Sequence, residues 1–279
     1  MSVRQFKLIN ANGLEWNLMR KDAYFSEPSG LGFSINGEYM VIGSNYQPIS
    51  MLSTQKVPSG TMVFETYNLY RQFADFINAT PLRLAYKPES DWYYLDCEVT
   101  SFEKGEIDNS VNRLLCPITF TAEGLWYKPT IARRTSDDVD NPKKYDYEYD
   151  YQYADEINGY IRINNQSAKE SPCVVSIMGN IENPTWTLSV NNEQVASGSV
   201  NITIPSGHKL VVDSRDGKLE VAEYVASTDE YVRNLYQYID FDRETFIQIP
   251  SGNSVMFISG ETVGSIEAWV EVEEIHETI

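Results

Sequence analysis

Apolar and polar side chains alternate along most of the chain, and glycine, asparagine and proline interrupt the alternation at short intervals. A period of two means half-buried strands, because successive side chains leave a strand on opposite faces. Residues 3–18 alternate in this way and turn at Asn10-Ala11-Asn12-Gly13, where Asn and Gly tolerate positive φ. Strands are predicted at 30–35 and 39–42 around Asn36-Gly37, the strongest short hairpin signal in the chain. Val57-Pro58-Ser59-Gly60 then breaks the pattern ahead of a strand at 61–64, and further strands follow at 82–86, 92–102 and 112–122.

One stretch has helical period. Tyr67, Tyr70, Phe73, Ala74 and Ile77 recur at spacings of three and four, with Asn68, Arg71, Gln72 and Asp75 on the other side. The spacing predicts a helix over about 66–78, capped by Thr66 and stopped by Thr80-Pro81. Its aromatic stripe reads as core packing. The N-terminal part is therefore a β-sandwich or barrel bearing one helix, over 1–130, followed by a polar linker or loop at 131–144.

From 145 onward the pattern is again all strand. Tyr145, Tyr147, Tyr149, Tyr151 and Tyr153 alternate with Asp146, Glu148, Asp150 and Gln152, so an extended strand would carry every tyrosine on one face. Packing of those tyrosines on a neighbouring surface is the preferred reading. A stacking platform for sugar rings and a calcium site from the three carboxylates are alternatives, the second lacking the Gly-containing loop that would wrap an ion. Short strands at regular spacing follow to the C-terminus, with turns at Gly179, Asn183-Pro184, Pro205-Ser206-Gly207 and Pro250-Ser251-Gly252-Asn253. This is the pattern of a sandwich of jelly-roll type over 145–279. Residues 226–242, with Tyr231, Leu235, Tyr236 and Ile239, fit either a short helix or a strand pair.

Length and charge sharpen the picture. The 279 residues suit two domains better than one. Net charge is −18, but residues 1–130 hold 11 basic and 14 acidic residues, a net of −3, against 11 and 26, a net of −15, in the remainder. So acidic a surface repels phosphate backbones, which excludes direct nucleic-acid binding as the expected role. No apolar run approaches the roughly 20 residues of a membrane span, and the first residues lack the apolar stretch of a secretory signal. Synthesis in a cytoplasm without secretion is the expectation. Cys97, Cys116 and Cys173 show neither CxxC nor Cys/His spacing and read as buried reduced thiols.

Candidate chemistry is sparse. The two histidines, His208 in a turn and His276 in an acidic tail at 267–277, are expected at the surface, with the tail itself a solvated strand edge. No nucleophile elbow, HExxH, phosphate loop or dinucleotide fingerprint is present. The expectation is a non-enzyme without cofactor or metal. Saccharide or partner contact could fall on Tyr145, Tyr147, Tyr149, Tyr151, Tyr153 and Trp186, with Tyr224, Tyr236 and Tyr238 as further platforms, although Trp186 after Asn183-Pro184 is better placed as a core residue.

Taken in order, several segments support a family resemblance. They are Phe6-Lys7-Leu8-Ile9-Asn10 with Gly13 and Trp16; Pro28-Ser29-Gly30-Leu31-Gly32-Phe33; the strand and aromatic helix over 60–78; and 114–120 with Leu125-Trp126. The second half adds Gly179-Asn180-Ile181-Glu182-Asn183-Pro184-Thr185-Trp186, Val211-Val212-Asp213-Ser214 and residues 246–254. In this order the chain resembles the distal tail proteins, or baseplate hubs, of long-tailed non-contractile phages and prophages of Gram-positive hosts. The resemblance implies an N-terminal domain that forms a homohexameric ring at the virion tail tip and a C-terminal galectin-like sandwich. It also implies partners in the tail tube protein, the tail-associated protein and receptor-binding proteins, and no catalytic residues. A carbohydrate-binding module contacting host cell-wall saccharide is the alternative.

Overall fold

The computed structural model describes residues 4–108, 112–134, 159–262 and 266–279. It divides into two compact units, Met1–Lys128 with His276–Ile279, and Pro129–Ile275. The tyrosine-rich segment 145–153 lies outside the described residues.

The first unit contains β1 (Gln5–Ile9), β2 (Glu15–Asn17), β3 (Ala23–Ser29), β4 (Ile35–Ile42), β5 (Asn45–Ser53), β6 (Ser59–Phe64), α1 (Tyr67–Ile77), β7 (Leu82–Lys87), β8 (Tyr93–Phe102), β9 (Ile107–Asp108) and β10 (Arg113–Ala122). It also holds the start of β11 (Trp126–Arg133). Antiparallel pairing runs in the order β2-β1-β7-β8-β10-β6-β3. A bridge between Met19 and Tyr24, with the Phe25 amide donating to the Leu18 carbonyl, joins the two ends of that order into a closed barrel. Closure removes two strand edges that would otherwise need cover.

Alternate residues of each strand fill the barrel: Phe6 and Leu8, Met62 and Phe64, Leu114, Cys116, Ile118 and Phe120 are all buried. Helix α1 lays Phe73 against this core, with Trp16 at 5.3 Å and Phe102 at 5.4 Å between ring centroids. Thr66 caps the helix as its position predicts, its Oγ1 accepting from the Leu69 amide.

The second unit contains β12 (Gly159–Asn165), β13 (Ser171–Met178), β14 (Ile181–Val190), β15 (Glu193–Ser199), β16 (Thr203–Ile204), β17 (His208–Asp213), β18 (Glu220–Val225), β19 (Tyr231–Asn234), β20 (Gln248–Ile249), β21 (Gly252–Thr262) and β22 (Ala268–His276). One sheet has the order β12-β21-β14-β15 with β16 beside β14; the other runs β19-β18-β17-β13-β22 with β20 beside β13. Ile161, Trp186, Leu188 and Met256 of the first share a single core with Val175, Leu210, Val212 and Val270 of the second. That is a two-sheet sandwich. The fold is thus all-β with one helix among the described residues.

The structure corrects several local expectations. Asn36-Gly37 is no turn: both residues sit inside β4, and the hairpin turns at Gly43-Ser44, with Gly43 at φ 64°. Turning there gives eight facing pairs, and Tyr39 and Met51 fold over the space beside Gly37. Asn183-Pro184 is not a break either, because β14 continues through a bulge there with Asn183 at φ 48°. Residues 231–234 form the edge strand β19, followed by a single 3₁₀ turn at Tyr236–Tyr238.

The acidic tail is no solvated edge. Strand β22 pairs with β13 over five residues and buries Ala268, Val270, Val272 and Glu274, since period-two patterning holds through the acidic run. Neither histidine is fully exposed: His208 bonds Glu223, and His276 packs edge-on against Tyr93 at 5.2 Å.

Two outcomes follow from this packing. Burial pushes the Cys97 and Cys173 thiols up to about 12 and raises Cys116 as well, so none presents a thiolate near neutral pH. A disulfide reagent such as DTNB should leave the native chain unlabelled and titrate all three cysteines once it is unfolded. At Gly198 a Cβ would fall 2.5 Å from the Trp186 ring, whose Nε1 is held by the Thr245 carbonyl at 3.2 Å. Gly198→Ala should cost about 1–3 kcal/mol in denaturant unfolding, as overpacked cores do.

Candidate assembly surfaces

The residues that stand out are those that the barrel leaves uncovered. Among the described residues, strands β4 and β5 pair only with each other, and every residue in them except Ser50 is exposed. Residues 33–53 hold one charged side chain, Glu38, among Phe33, Ile35, Tyr39, Met40, Val41, Ile42, Tyr46, Ile49, Met51 and Leu52. The facing pairs Ile35/Ser53, Gly37/Met51, Tyr39/Pro48 and Val41/Tyr46 alternate with Asn36/Leu52, Glu38/Ser50, Met40/Gln47 and Ile42/Asn45. Facing pairs share a side of a two-stranded ribbon. The first set therefore makes a nearly unbroken apolar face, on which Val41 is 63% and Tyr46 74% exposed, and the second a mixed face.

The root of this ribbon is fixed. Gly30 turns at φ 72° so close to the Val57 carbonyl that a Cβ would stand 2.4 Å from its oxygen. Lys56, only 5% exposed, donates from Nζ to the Gly32 carbonyl at 2.9 Å and to the Glu277 carbonyl at 2.6 Å. Burial lowers the Lys56 pKa and the Glu277 charge opposes that shift. Trp126 Nε1 donates to the Leu31 carbonyl at 3.2 Å, and Gln55 Nε2 to the Ala122 carbonyl at 2.8 Å. A long apolar ribbon thus projects from a rigid base.

A second uncovered surface lies beside α1. A cavity of about 400 Å³ is lined by Ala74, Ile77, Asn78, Thr80 and the consecutive residues Glu98, Val99, Thr100, Ser101 and Phe102. Five consecutive strand residues can line one groove only if the strand presents its edge, because a sheet face would show every second residue.

Other polar clusters are structural. Glu223 is 2% exposed and accepts from His208 Nδ1 at 2.5 Å and Arg233 Nε at 2.7 Å. A carboxylate so engaged is not available as a general base. Arg215 bonds Asp213 and Glu273, which raises its pKa further. Among the described residues no three of His, Cys, Asp and Glu are placed to hold a metal, and no helix is long and apolar enough to cross a membrane. Trp186, a candidate platform from its aromatic ring, is fully buried and offers no face to a ligand.

Residues 5–123 match the family described as "Distal tail protein, N-terminal domain". The first unit is similar to the N-terminal domain of distal tail proteins. The whole chain has the fold of a component of the phage P2 baseplate in its activated conformation with Ca, at 15% identity and TM-score 0.68, covering 100% of both chains. A structure of the same baseplate with Sr gives the same figures. The SPP1 Dit (gp 19.1) protein, described as a hub of the adsorption apparatus in phages that infect Gram-positive bacteria, aligns at 10% identity and TM-score 0.62 over 96% of this chain and 98% of its own. Comparison with curated proteins finds no match.

The sequence pattern predicts strands on either side of Asn36-Gly37, which misplaces the turn of the ribbon and leaves its two faces unrecognised. Nothing in the sequence pattern marked the groove, which depends on where β7 starts. The Lys56 anchor gives a direct check on the root. Lys56→Met removes the donor to the Gly32 and Glu277 carbonyls and should cost about 1–3 kcal/mol, with faster hydrogen exchange at the Thr54 amide, which donates to the Ser34 carbonyl.

Proposed function

We propose that this chain is a structural hub of a phage or prophage tail tip. It forms a homohexameric ring that joins the tail tube to the tail-associated and receptor-binding proteins. The observation that carries the proposal is the β4–β5 ribbon, whose apolar face is open to solvent in the single chain. Contiguous exposed apolar surface of this kind marks an interaction site.

The unit that bears the ribbon is also the nearly neutral one, so copies can approach without the repulsion that the acidic second half would impose. Burying one large apolar side chain is worth about 1.5–3 kcal/mol. The apolar face, already half-covered by its own side chains, would thus supply roughly 6 kcal/mol, comparable to the cost of about 4–15 kcal/mol for bringing two molecules together. One contact is therefore marginal. A closed ring gains its last contact without ordering another molecule, which favours all-or-none assembly by a heterologous interface. The two-sheet second unit, read as galectin-like, carries most of the negative charge and suits an outward position that keeps the assembly soluble.

Saccharide binding, the alternative reading, now depends on the tyrosines at 145–153 and on Tyr224, Tyr236 and Tyr238, since Trp186 is in the core. Light scattering over a concentration series separates the two. The mass should rise cooperatively toward about six times that of one chain, and a variant with residues 35–53 replaced by a short Gly-Ser turn should stay monomeric. A wild-type chain that remains monomeric throughout, with glycan binding on an array, would favour the saccharide module.

A further inference from the structure

The groove beside α1 is an open strand edge with a defined cause. Strand β7 pairs with β8 from Tyr86↔Tyr93 to Leu82↔Cys97 and stops there. Only Ala79, Thr80 and Pro81 separate Leu82 from the end of α1 at Asn78, so β7 starts too late to run beside Glu98–Phe102. Strand β8 nevertheless continues to Phe102, paired on its other side with β10. The Glu123 amide donates to the Asp96 carbonyl, so Asp96 and, two residues on, Glu98 turn their backbone groups toward β10. The N–H and C=O of Val99 then point the other way, into the groove.

We propose that this edge, Glu98–Phe102, receives a strand of the β4–β5 ribbon of a second copy of the chain, so that ring contacts form by strand addition. Three observations select that occupant. The ribbon is two-stranded and pairs with nothing else among the described residues, so each of its strands carries one open edge there. Groove and ribbon are both almost uncharged, with Glu98 in one and Glu38 in the other, within a chain of net charge −18. Finally, the two features lie at opposite ends of one barrel wall. The chain runs from the ribbon past Ala122, whose amide donates to the Lys56 carbonyl and which faces Cys97, whereas the groove extends from Glu98 away from that end.

A ribbon rooted at one end of the wall and an edge open at the other make a head-to-tail contact, the kind that closes rings. Its backbone bonds supply affinity, while Ala74, Ile77 and Val99 supply an apolar floor for alternate side chains of the added strand.

The proposal rests on the ring reading but is tested apart from it. A cyclised peptide of residues 33–54 is titrated into the full chain and amide exchange is followed by NMR. Exchange at Val99 should slow by at least about tenfold, with protection centred on 98–102. Val99→Pro, which removes an outward-facing N–H that the β10 ladder does not use, and Ala74→Glu, on the helix surface, should each abolish that protection while leaving a cooperative thermal transition. Unchanged exchange at 98–102 at a peptide concentration of about 1 mM, or protection centred elsewhere, overturns the contact. A chain that protects these amides yet never exceeds monomer mass would sink the ring and keep the contact. A ring that forms while Val99 still exchanges freely would do the reverse.

Discussion

The constraint on which the structure turns is an apolar ribbon that its own chain cannot cover. Residues 35–53 extend from a closed barrel and, among the described residues, pair only with each other. The free energy that burying this surface would supply is deferred to the proposed association. Around that deferral the rest of the first unit is organised. The root is clamped by Lys56, Trp126 and Gln55, so the ribbon is presented at a fixed angle and little order has to be gained on contact.

The second unit follows different rules. Its two sheets bury one core around Trp186; of its edge strands, β19 is fully exposed and β15 exposed over its first three residues, with Glu193, Glu230 and Arg233 in or beside them. Charge at such edges discourages pairing. The contrast between an uncharged open ribbon in one unit and charged edges in the other separates assembly from solubility along a single chain. The division of net charge, −3 against −15, is the same contrast read from composition.

Much of this was legible in the sequence because period-two patterning and the helix signals are local. The helix, its Thr66 cap, the β-rich character of both halves and the buried cysteines could all be read from neighbouring residues. What escaped depends on distant partners. Asn36-Gly37 has the chemistry of a turn, but eight cross-strand pairs outweigh four, and the turn moves to Gly43. The tail looked like a solvated edge because its acidic residues are conspicuous, yet Ala268, Val270 and Val272 alternate beneath them. Buried Lys56 could not be anticipated, since its acceptor at Glu277 lies more than two hundred residues away in sequence. The groove exists because β7 starts opposite Cys97 while β8 runs on to Phe102, a fact of register and not of composition.

The most direct test of the central claim is the polarity around the ribbon face as chains associate. Because the native cysteines are buried, Tyr46→Cys gives a single reactive thiol for an environment-sensitive fluorophore on the most exposed apolar position. The account predicts that its emission shifts to the blue in step with the rise in mass as concentration increases. Emission that stays that of a water-exposed dye while the mass rises would mean that chains assemble through some other surface, and the account would be wrong.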